Sequence, residues 1–397
     1  MTIKKAVGKI HLWLGLSSGL LVFFLGLTGC ILVFEREIGY LTKPYQYVEE
    51  QQANFLPPST LKKIAETALP GKKLHSVAYS NRKKAVQAVF YNGDPEYYYI
   101  VYINPYTGAV QKVKNMNRDF FRIVLDGHFY LWLPPQIGQP IVATATLVFL
   151  IMLISGLVLW WPKNKAARKQ RFSIKWSAKW RRVNYDLHNV LGFYFTWVLI
   201  FIAITGLVFG FQWFAKALYW TTSGGKEPVA FYEAVSAKNI SASGIEKPED
   251  KAWVKMNELY PGAEIIDVHF PENDSAAIEV GANPDAGTYW KADYRYFDQH
   301  SLEEIEVTHP YGKFANASVA DKISRMNYDV HVGAIGGITT KIMAFFASLI
   351  AASLPVTGFY IWWGRRKKNK YKNTAATSRK AGSRANSNVN RQGVAAT

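Results

Sequence analysis

The first apolar segment of the chain, Leu12–Phe34, decides the fold. Its 23 residues carry no charge and read LWLGLSSGLLVFFLGLTGCILVF. Three further segments of 21 or 22 residues share this character: Ile141–Trp161, Val190–Phe211 and Ile342–Trp363. A helix of about 20 apolar residues crosses the roughly 30 Å hydrocarbon layer of a bilayer. The sequence therefore predicts four transmembrane helices in contact with lipid.

The composition of the whole chain hides this segregation. Of its 397 residues, 49% are hydrophobic, and the mean hydropathy of −0.05 would suit a soluble protein. The four charge-free segments nevertheless exclude a single soluble domain. A disulfide scaffold is excluded as well, because Cys30 is the only cysteine and lies within the first apolar segment.

The net charge of +18 is concentrated outside the apolar segments. The first ten residues, residues 162–189 and the tail after Trp363 together hold 22 Lys and Arg against one acid, Asp186. Lys and Arg accumulate on the cytoplasmic side of membrane spans. We therefore expect both termini and the middle loop in the cytoplasm, two long segments on the outer side, and no nucleic-acid partner.

An alternative for the first segment is a lipoprotein signal peptide, because Leu27–Cys30 resembles a cleavage site. The apolar run continues beyond Cys30, however, where a mature lipoprotein turns polar. Moreover, the Thr28-Gly29 pair has a counterpart in every other span: Ser155-Gly156, Thr205-Gly206 and Thr357-Gly358. We therefore expect the first segment to remain as a span.

A repeat relates the two halves of the chain. His11, Gly15 and Thr28-Gly29 recur 177 residues later as His188, Gly192 and Thr205-Gly206. The spacing Arg-x3-Asp-x-His precedes span two and recurs 203 residues later before span four. Its members are Arg122, Asp126 and His128, then Arg325, Asp329 and His331. A unit of span, outer segment and span therefore occurs twice in parallel.

This repeat predicts a membrane α-helical fold with two extracytoplasmic α+β modules. Each outer segment combines an amphipathic helix with alternating strands of an antiparallel sheet. The predicted boundaries are 1–34 for the N-terminus and helix one, 35–140 for module one, 141–161 for helix two, 162–187 for a basic loop, 188–214 for helix three, 215–337 for module two, 338–363 for helix four and 364–397 for a basic disordered tail.

Four histidines occupy equivalent places in the repeat. His11 and His188 lie at the inner ends of spans one and three, whereas His128 and His331 precede spans two and four on the outer side. Ionisable residues at membrane depth are functional candidates. Matched depth predicts the pairs His11/His188 and His128/His331. Two imidazoles from facing helices suit the axial positions of a haem iron.

The cofactor predicted at each pair is a b-type haem, because the chain has no C-x-x-C-H attachment sequence. Small residues would let a porphyrin approach the helix backbones; they are Gly15, Ser18, Gly19 and Gly192. Zinc is disfavoured, since two histidines per site fall short of four ligands. Interfacial histidines without function are a further alternative. The remaining histidines are predicted to lie in surface or turn positions; they are His75, His269, His300 and His309.

Three arginines, Arg122, Arg182 and Arg325, each precede a paired histidine by six residues. An arginine near the membrane surface can bind a haem propionate. It can equally extend along lipid to the interface, and both interpretations remain open. The pairs Trp160-Trp161 and Trp362-Trp363 are predicted to be aromatic-belt anchors.

The arrangement resembles the PepSY-associated transmembrane family, and within it the ferric-siderophore reductases of bacterial inner membranes. The resemblance covers about residues 5–368. It rests on the duplicated unit, the four histidines, the Thr/Ser-Gly pairs and the strand and turn Tyr102–Val110. The corresponding turn of the second module, Phe297–Ser301, lacks the Thr-Gly of the first.

This resemblance implies an oxidoreductase of the bacterial inner membrane with two periplasmic modules. Two b-type haems, held by His11, His128, His188 and His331, would carry electrons to a ferric siderophore or a similar iron chelate. Because the chain has no nucleotide-binding G-x-G-x-x-G after a strand and no P-loop, we expect an external electron donor, either a cytoplasmic reductase or quinol. No catalytic acid or base is predicted.

Two other functions remain open from the sequence. The first is a non-enzymatic, membrane-anchored PepSY protein that binds or regulates periplasmic proteins. The second is a quinol-linked respiratory cytochrome b. The first would bind no haem, and the second would respond to quinol analogues rather than to ferric chelates.

Overall fold

Four helices of the protein are long and apolar enough to cross a membrane. A computed structural model describes residues 2–162, 168, 171–237 and 245–392, with side chains described as far as residue 366. The four helices are Ile3–Val33, Pro135–Trp160, Trp180–Gly210 and Ala334–Arg366. They contain nearly all of the four charge-free segments, in agreement with the predicted helical membrane protein.

Eleven α-helices are assigned within the described residues. They are α1 (Ile3–Val33), α2 (Glu35–Thr42), α3 (Pro58–Ala68), α4 (Phe120–Tyr130), α5 (Pro135–Trp160), α6 (Trp180–Asp186), α7 (Gly192–Gly210), α8 (Gln212–Ser223), α9 (Pro248–Leu259), α10 (Val319–His331) and α11 (Gly337–Gln392). A π-helical turn, Leu187–Leu191, connects α6 to α7.

The C-terminal tail differs from its prediction. Helix α11 continues through most of the segment predicted to be disordered and ends at Gln392. Ala, Lys and Arg, which are frequent there, have high helix propensity, whereas the prediction rested on missing apolar periodicity. Residues 393–397, part of the predicted basic loop (163–167 and 169–170) and residues 238–244 of the second module lie outside the described residues.

Contacts within the chain define two units. The helical unit comprises Met1–Leu27, Val148–Ile200 and Ala347–Thr397, and the sheet unit comprises Thr28–Leu147 and Phe201–Phe346. Helices α1, α5, α7 and α11 each contribute one segment to the helical unit and one to the sheet unit.

The sheet unit contains one antiparallel sheet of eight strands in the order β4-β3-β2-β1-β5-β6-β7-β8. The strands are β1 (Ser76–Tyr79), β2 (Val86–Gly93), β3 (Glu96–Ile103), β4 (Val110–Asn115), β5 (Ile265–His269), β6 (Ile278–Asn283), β7 (Asp293–Phe297) and β8 (Glu304–Ile305). The expectation of a separate sheet in each module is therefore wrong. Strands β1 and β5 pair with Val77 opposite Val268, because each would otherwise expose an unpaired edge.

One face of this sheet packs against α3 and α9. In β2, the alternate residues Val86, Ala88 and Phe90 are buried, as expected for the period of two in a strand with one buried face. The starts of the two helices are also joined. The backbone N–H and the hydroxyl of Ser59 donate to the carboxylate of Asp250 at 2.7 and 2.6 Å.

Candidate functional site

His11 and His188 lie in the helical unit and line one cavity. His11 is on α1, and His188 is in the π-helical turn before α7. Such π-helical turns are rare in proteins, but many of those known lie at functional sites. Nδ1 of His11 lies 2.8 Å from Oγ of Ser155 on α5, and Nδ1 of His188 lies 2.9 Å from Oγ1 of Thr357 on α11. Each predicted span therefore contributes to this inner pair.

His128 and His331 form the outer pair, in the sheet unit. His128 is on α4, and His331 is the last residue of α10. Nδ1 of His128 lies 2.8 Å from Oγ1 of Thr28, and Nδ1 of His331 lies 3.0 Å from Oγ1 of Thr205. The centres of the two imidazole rings are 6.3 Å apart. The structure thus brings these two predicted residues together.

The hydroxyl groups determine which ring nitrogen carries the proton at three of the four histidines. Ser155, Thr205 and Thr357 each donate their hydroxyl hydrogen to a main-chain carbonyl of their own helix, at 2.8–3.1 Å. A hydroxyl has one hydrogen, so its oxygen accepts the bond from the histidine, and Nδ1 is protonated. The lone pair of Nε2 then remains available to bind a metal.

The glycine of the Thr/Ser-Gly pair leaves room for the imidazole. A Cβ atom on Gly206 would lie 3.3 Å from Cε1 of His331, and a Cβ atom on Gly358 would lie 3.3 Å from Cε1 of His188. Carbon atoms in optimal contact are about 3.5–4.0 Å apart, so a larger side chain would press on each ring. The pair therefore acts as a histidine-binding motif, a role that the sequence did not reveal.

Two asparagines that the sequence analysis missed lie one helical turn before His188 and His331. They are Asn184 and Asn327, and both are buried. Each donates a side-chain hydrogen bond to the main-chain carbonyl of the threonine that holds its histidine, at 3.0 and 3.2 Å. The repeated spacing Asn-x3-His was the signal available in the sequence.

The cavity of the inner pair has a volume of about 400 Å³, within the range of about 300–1,000 Å³ typical of small-molecule sites. The small residues expected near a porphyrin all line it; they are Gly15, Ser18, Gly19 and Gly192. Trp160 and Trp362 also line it, so these two tryptophans are not simply membrane anchors. Their neighbours Trp161 and Trp363 are exposed.

The separation of the outer pair fits two imidazoles that share one metal ion. A metal–imidazole bond is about 2.0–2.1 Å long, and the ring centre lies about 1 Å beyond the nitrogen, so the two centres would be about 6 Å apart. Among the described residues, no group of three or more His, Cys, Asp or Glu side chains could hold a metal ion. A bare ion would lack ligands, whereas a porphyrin supplies four ring nitrogens itself. The histidine pairs therefore fit haem better than zinc.

The three arginines expected near the haems differ in their surroundings. Arg122 pairs with Asp126 at 3.6 Å, and Arg182 pairs with Asp186 at 2.8 Å. Arg325 is only 8% exposed, and no ion pair is found for it in the described part of the chain.

Two further arginines line the cavity of the inner pair. They are Arg171 and Arg365, which the sequence analysis did not single out. Their guanidinium groups bring positive charge to this mainly apolar cavity, where they could bind carboxylates. Basic residues are so abundant in the inner segments that sequence alone does not distinguish these two.

The electrostatics of the sheet unit distinguish His269 from His331 of the outer pair. Burial lowers the pKa of His331, which favours the neutral form that binds metals. His269 lies 3.0 Å from Asp267; burial lowers the pKa of His269, but the carboxylate outweighs this and raises it to about 9. His309 is buried. His309 nevertheless lies in a bend and His300 in a turn, whereas the half-buried His269 lies within β5, so the prediction of a surface or turn position is wrong for His269.

These features define a helical membrane protein with an antiparallel sheet domain and with histidines held by hydroxyl groups of other helices. The family described as the PepSY-associated TM region matches residues 9–365. The chain belongs to this family. A comparison with curated proteins finds no match.

For the haem that the sequence predicts at the inner pair, replacement of Thr357 by valine should weaken binding by about 10- to 100-fold, the usual effect of removing the partner of a metal-binding histidine. Valine keeps the shape but accepts no hydrogen bond from His188. Competition with a haem-scavenging protein measures the affinity. Thr221→Val is the matched control, because the Thr221 hydroxyl makes the same type of main-chain bond, to Ala217 at 2.7 Å, outside both pairs. Equal haem retention in the two variants would contradict the role of Thr357.

Proposed function

We propose that this protein is an electron-transfer protein of the bacterial inner membrane with two b-type haems, one at His11/His188 and one at His128/His331. In this proposal it reduces a ferric siderophore or a similar ferric chelate on the periplasmic side. An external donor, either a cytoplasmic reductase or quinol, supplies the electrons.

The observation that carries this proposal is the shared environment of the four histidines. Each has Nδ1 within 3.0 Å of a Ser or Thr hydroxyl from another helix. A metal-bound histidine characteristically donates its other ring N–H to such a partner, which fixes the orientation of the ring. Four histidines without function would have no reason to share this arrangement. Membership of a family with transmembrane regions supports a membrane location for such an electron-transfer protein.

When bound, haem with two histidine ligands supplies one-electron transfer at an iron that has no open position. The hydroxyl groups orient the imidazoles, and the glycines allow the rings to approach. Arg171 and Arg365 would neutralise propionates in the inner cavity. Of the three arginines expected from the sequence to bind propionates, Arg122 and Arg182 form ion pairs with Asp126 and Asp186, and Arg325 lines a different cavity in the sheet unit.

The direction of transfer follows from the predicted topology. Basic segments place His11 and His188 toward the cytoplasm, where reductants are available. His128 and His331 then lie toward the periplasm, where the chelate is reduced. Each ferric ion takes one electron, so a chain reduced at both haems would yield two ferrous ions.

The proposal is tested with the purified full-length protein. We expect the absorbance spectrum of six-coordinate b-type haem, at two haems per chain. After anaerobic reduction by dithionite, stopped-flow mixing with ferric chelates should reoxidise the haems, and a ferrous-specific chelator should trap the product.

The outcomes separate the three functions considered. A stable, colourless protein would support the non-enzymatic binding protein. Reoxidation by quinone analogues, with no response to any ferric chelate, would support the respiratory cytochrome. Either result would overturn the proposed reductase.

A further inference from the structure

A second cavity, of about 670 Å³, lies within the sheet unit. It is bounded by the end of α7, by α8 and α10, and by β7. Its lining is rich in tyrosine and contains two cations. The residues used below are Phe209, Lys216, Tyr219, Tyr294, Arg325 and Tyr328.

Arg325 is the unusual residue of this cavity. Its guanidinium carbon lies near two aromatic rings, 5.6 Å from the centre of Tyr294 and 5.3 Å from that of Phe314. One guanidinium nitrogen, Nη2, donates to the carbonyl of Ala292. The other, Nη1, is buried and has no hydrogen-bond partner. An unpaired buried charge is costly, so a small movement of the side chain toward the cavity that it lines would pair this nitrogen with an anionic ligand.

The acid expected to pair with Arg325 is engaged elsewhere. In the first half of the repeat Arg122 pairs with Asp126, four residues later. The corresponding Asp329 instead accepts the backbone N–H groups of Tyr289 and Trp290, both at 2.9 Å. The loop that contains these two residues therefore leaves Arg325 without its neighbour on the helix.

Two other carboxylates near Arg325 also have partners. Asp293 accepts the backbone N–H of Phe314 at 2.6 Å. Asp321 caps the start of α10 and accepts the hydroxyl of Tyr219 at 2.8 Å. Neither forms an ion pair with Arg325 among the described residues, so both act on the guanidinium charge only from a distance.

The tyrosines give the cavity aromatic faces and hydroxyl donors. Burial raises the pKa of Tyr294 and of Tyr328 to about 12, so both phenols remain protonated and able to donate. Aromatic faces pack against flat aromatic groups, and phenols hydrogen-bond to oxygen-rich ligands. The exposed Lys216 adds a second positive charge.

This cavity is close to the outer histidine pair. Phe209 lines it, and the centre of the Phe209 ring lies 5.6 Å from that of His331. Phe209 therefore connects the cavity with the outer pair.

We infer that this tyrosine-lined cavity is the chelate site, and that Arg325 makes it selective for ferric chelates with negative charge on carboxylate ligands. This inference rests on the proposed reductase function. Neutral tris-hydroxamate chelates would be poorer ligands, because they leave the Arg325 nitrogen unpaired.

The test compares an anionic ferric citrate chelate with a neutral ferric tris-hydroxamate in the stopped-flow assay, because carboxylate oxygens leave ferric iron reducible by a haem whereas catecholates hold it too tightly. Arg325→Gln should reduce the rate constant for the anionic chelate by about tenfold or more, as expected for the loss of a charge-assisted hydrogen bond. The neutral chelate should change less than about twofold, and Arg325→Lys should restore part of the loss. Lys322→Gln is the control, since Lys322 lies on α10 and packs over Phe314 at 4.9 Å.

Haem spectra of the same variants exclude another role for Arg325. An equal loss with both chelates, or loss of the outer haem in Arg325→Gln, would show that Arg325 serves the cofactor or the fold, and would overturn the inference. If Arg325→Gln does not fold, the variant Lys216→Gln replaces it in the assay, because Lys216 is the second, exposed cation of the cavity. A lower rate constant with the anionic chelate alone would support the inference, and equal rate constants with both chelates would contradict it.

Gallium(III) citrate separates this inference from the proposed function, because gallium(III) is not reduced in the assay. Binding to the wild-type protein and loss of binding in Arg325→Gln, without reduction of any ferric chelate, would retain the anion site and overturn the reductase. Reduction of neutral and anionic chelates at equal rates, with no binding of the gallium complex, would instead retain the reductase and overturn the anion site.

Discussion

Replacement of His331 by alanine is expected to abolish the reduction of ferric chelates by dithionite-reduced protein. His331 is proposed to bind the outer haem, and its ring is next to Phe209, which lines the cavity inferred to hold the chelate. Without His331, only His128 of the outer pair would remain to hold a haem. Anaerobic stopped-flow absorbance should then show no chelate-dependent reoxidation on the wild-type timescale.

His300→Gln is the matched control for this experiment. His300 belongs to the same unit and lies in a turn, away from both histidine pairs in the sequence repeat. It should therefore reoxidise at the wild-type rate. Undiminished chelate reduction in His331→Ala would remove the assignment of the outer pair as the exit for electrons.

Alanine substitutions of His11 and His188 are expected to eliminate one and the same haem, which halves the haem content of the protein. Both residues line one cavity, and each has Nδ1 fixed by a hydroxyl group of another helix. Substitution of His128 or of His331 should instead eliminate the other haem. Haem quantitation and low-temperature absorbance spectra of the four variants measure this directly.

The pairing has a clear contrary outcome. If His11→Ala and His188→Ala remove different spectral components, the two residues do not share a cofactor. His75→Ala is a suitable control for general loss of haem, because His75 lies beside His269 in the sheet unit, with ring centres 4.8 Å apart, and belongs to neither pair.

Much of the membrane part could be predicted from the sequence because its signals are local. A charge-free run such as Leu12–Phe34 has few stable environments other than a bilayer. The repeated spacing around His11 and His188 identifies both residues as candidates without any information about their contacts. The recurring Thr/Ser-Gly pairs can also be recognised in the sequence, but their role in binding the histidines cannot. Thr28 and His128 are 100 residues apart, and no local pattern indicates that one binds the other.

The sheet shows the same division between local and long-range information. Alternating residues such as Val86, Ala88 and Phe90 predict a strand with one buried face. They do not predict its neighbours. Strands β1 and β5 join the two predicted modules, because backbone groups at a free strand edge accept any partner of suitable shape, and only folding of the whole unit selects that partner.

The sequence by itself determined the four spans, the repeat and the four histidines. Only the tertiary structure decided which hydroxyl group binds each histidine and whether Arg325 forms an ion pair with its aspartate. The same Arg-x3-Asp motif yields an ion pair at Arg122, whereas at Arg325 the backbone of Tyr289 and Trp290 captures the aspartate. Hydrogen-bond partners compete for a buried carboxylate, and the outcome depends on which loop folds beside it.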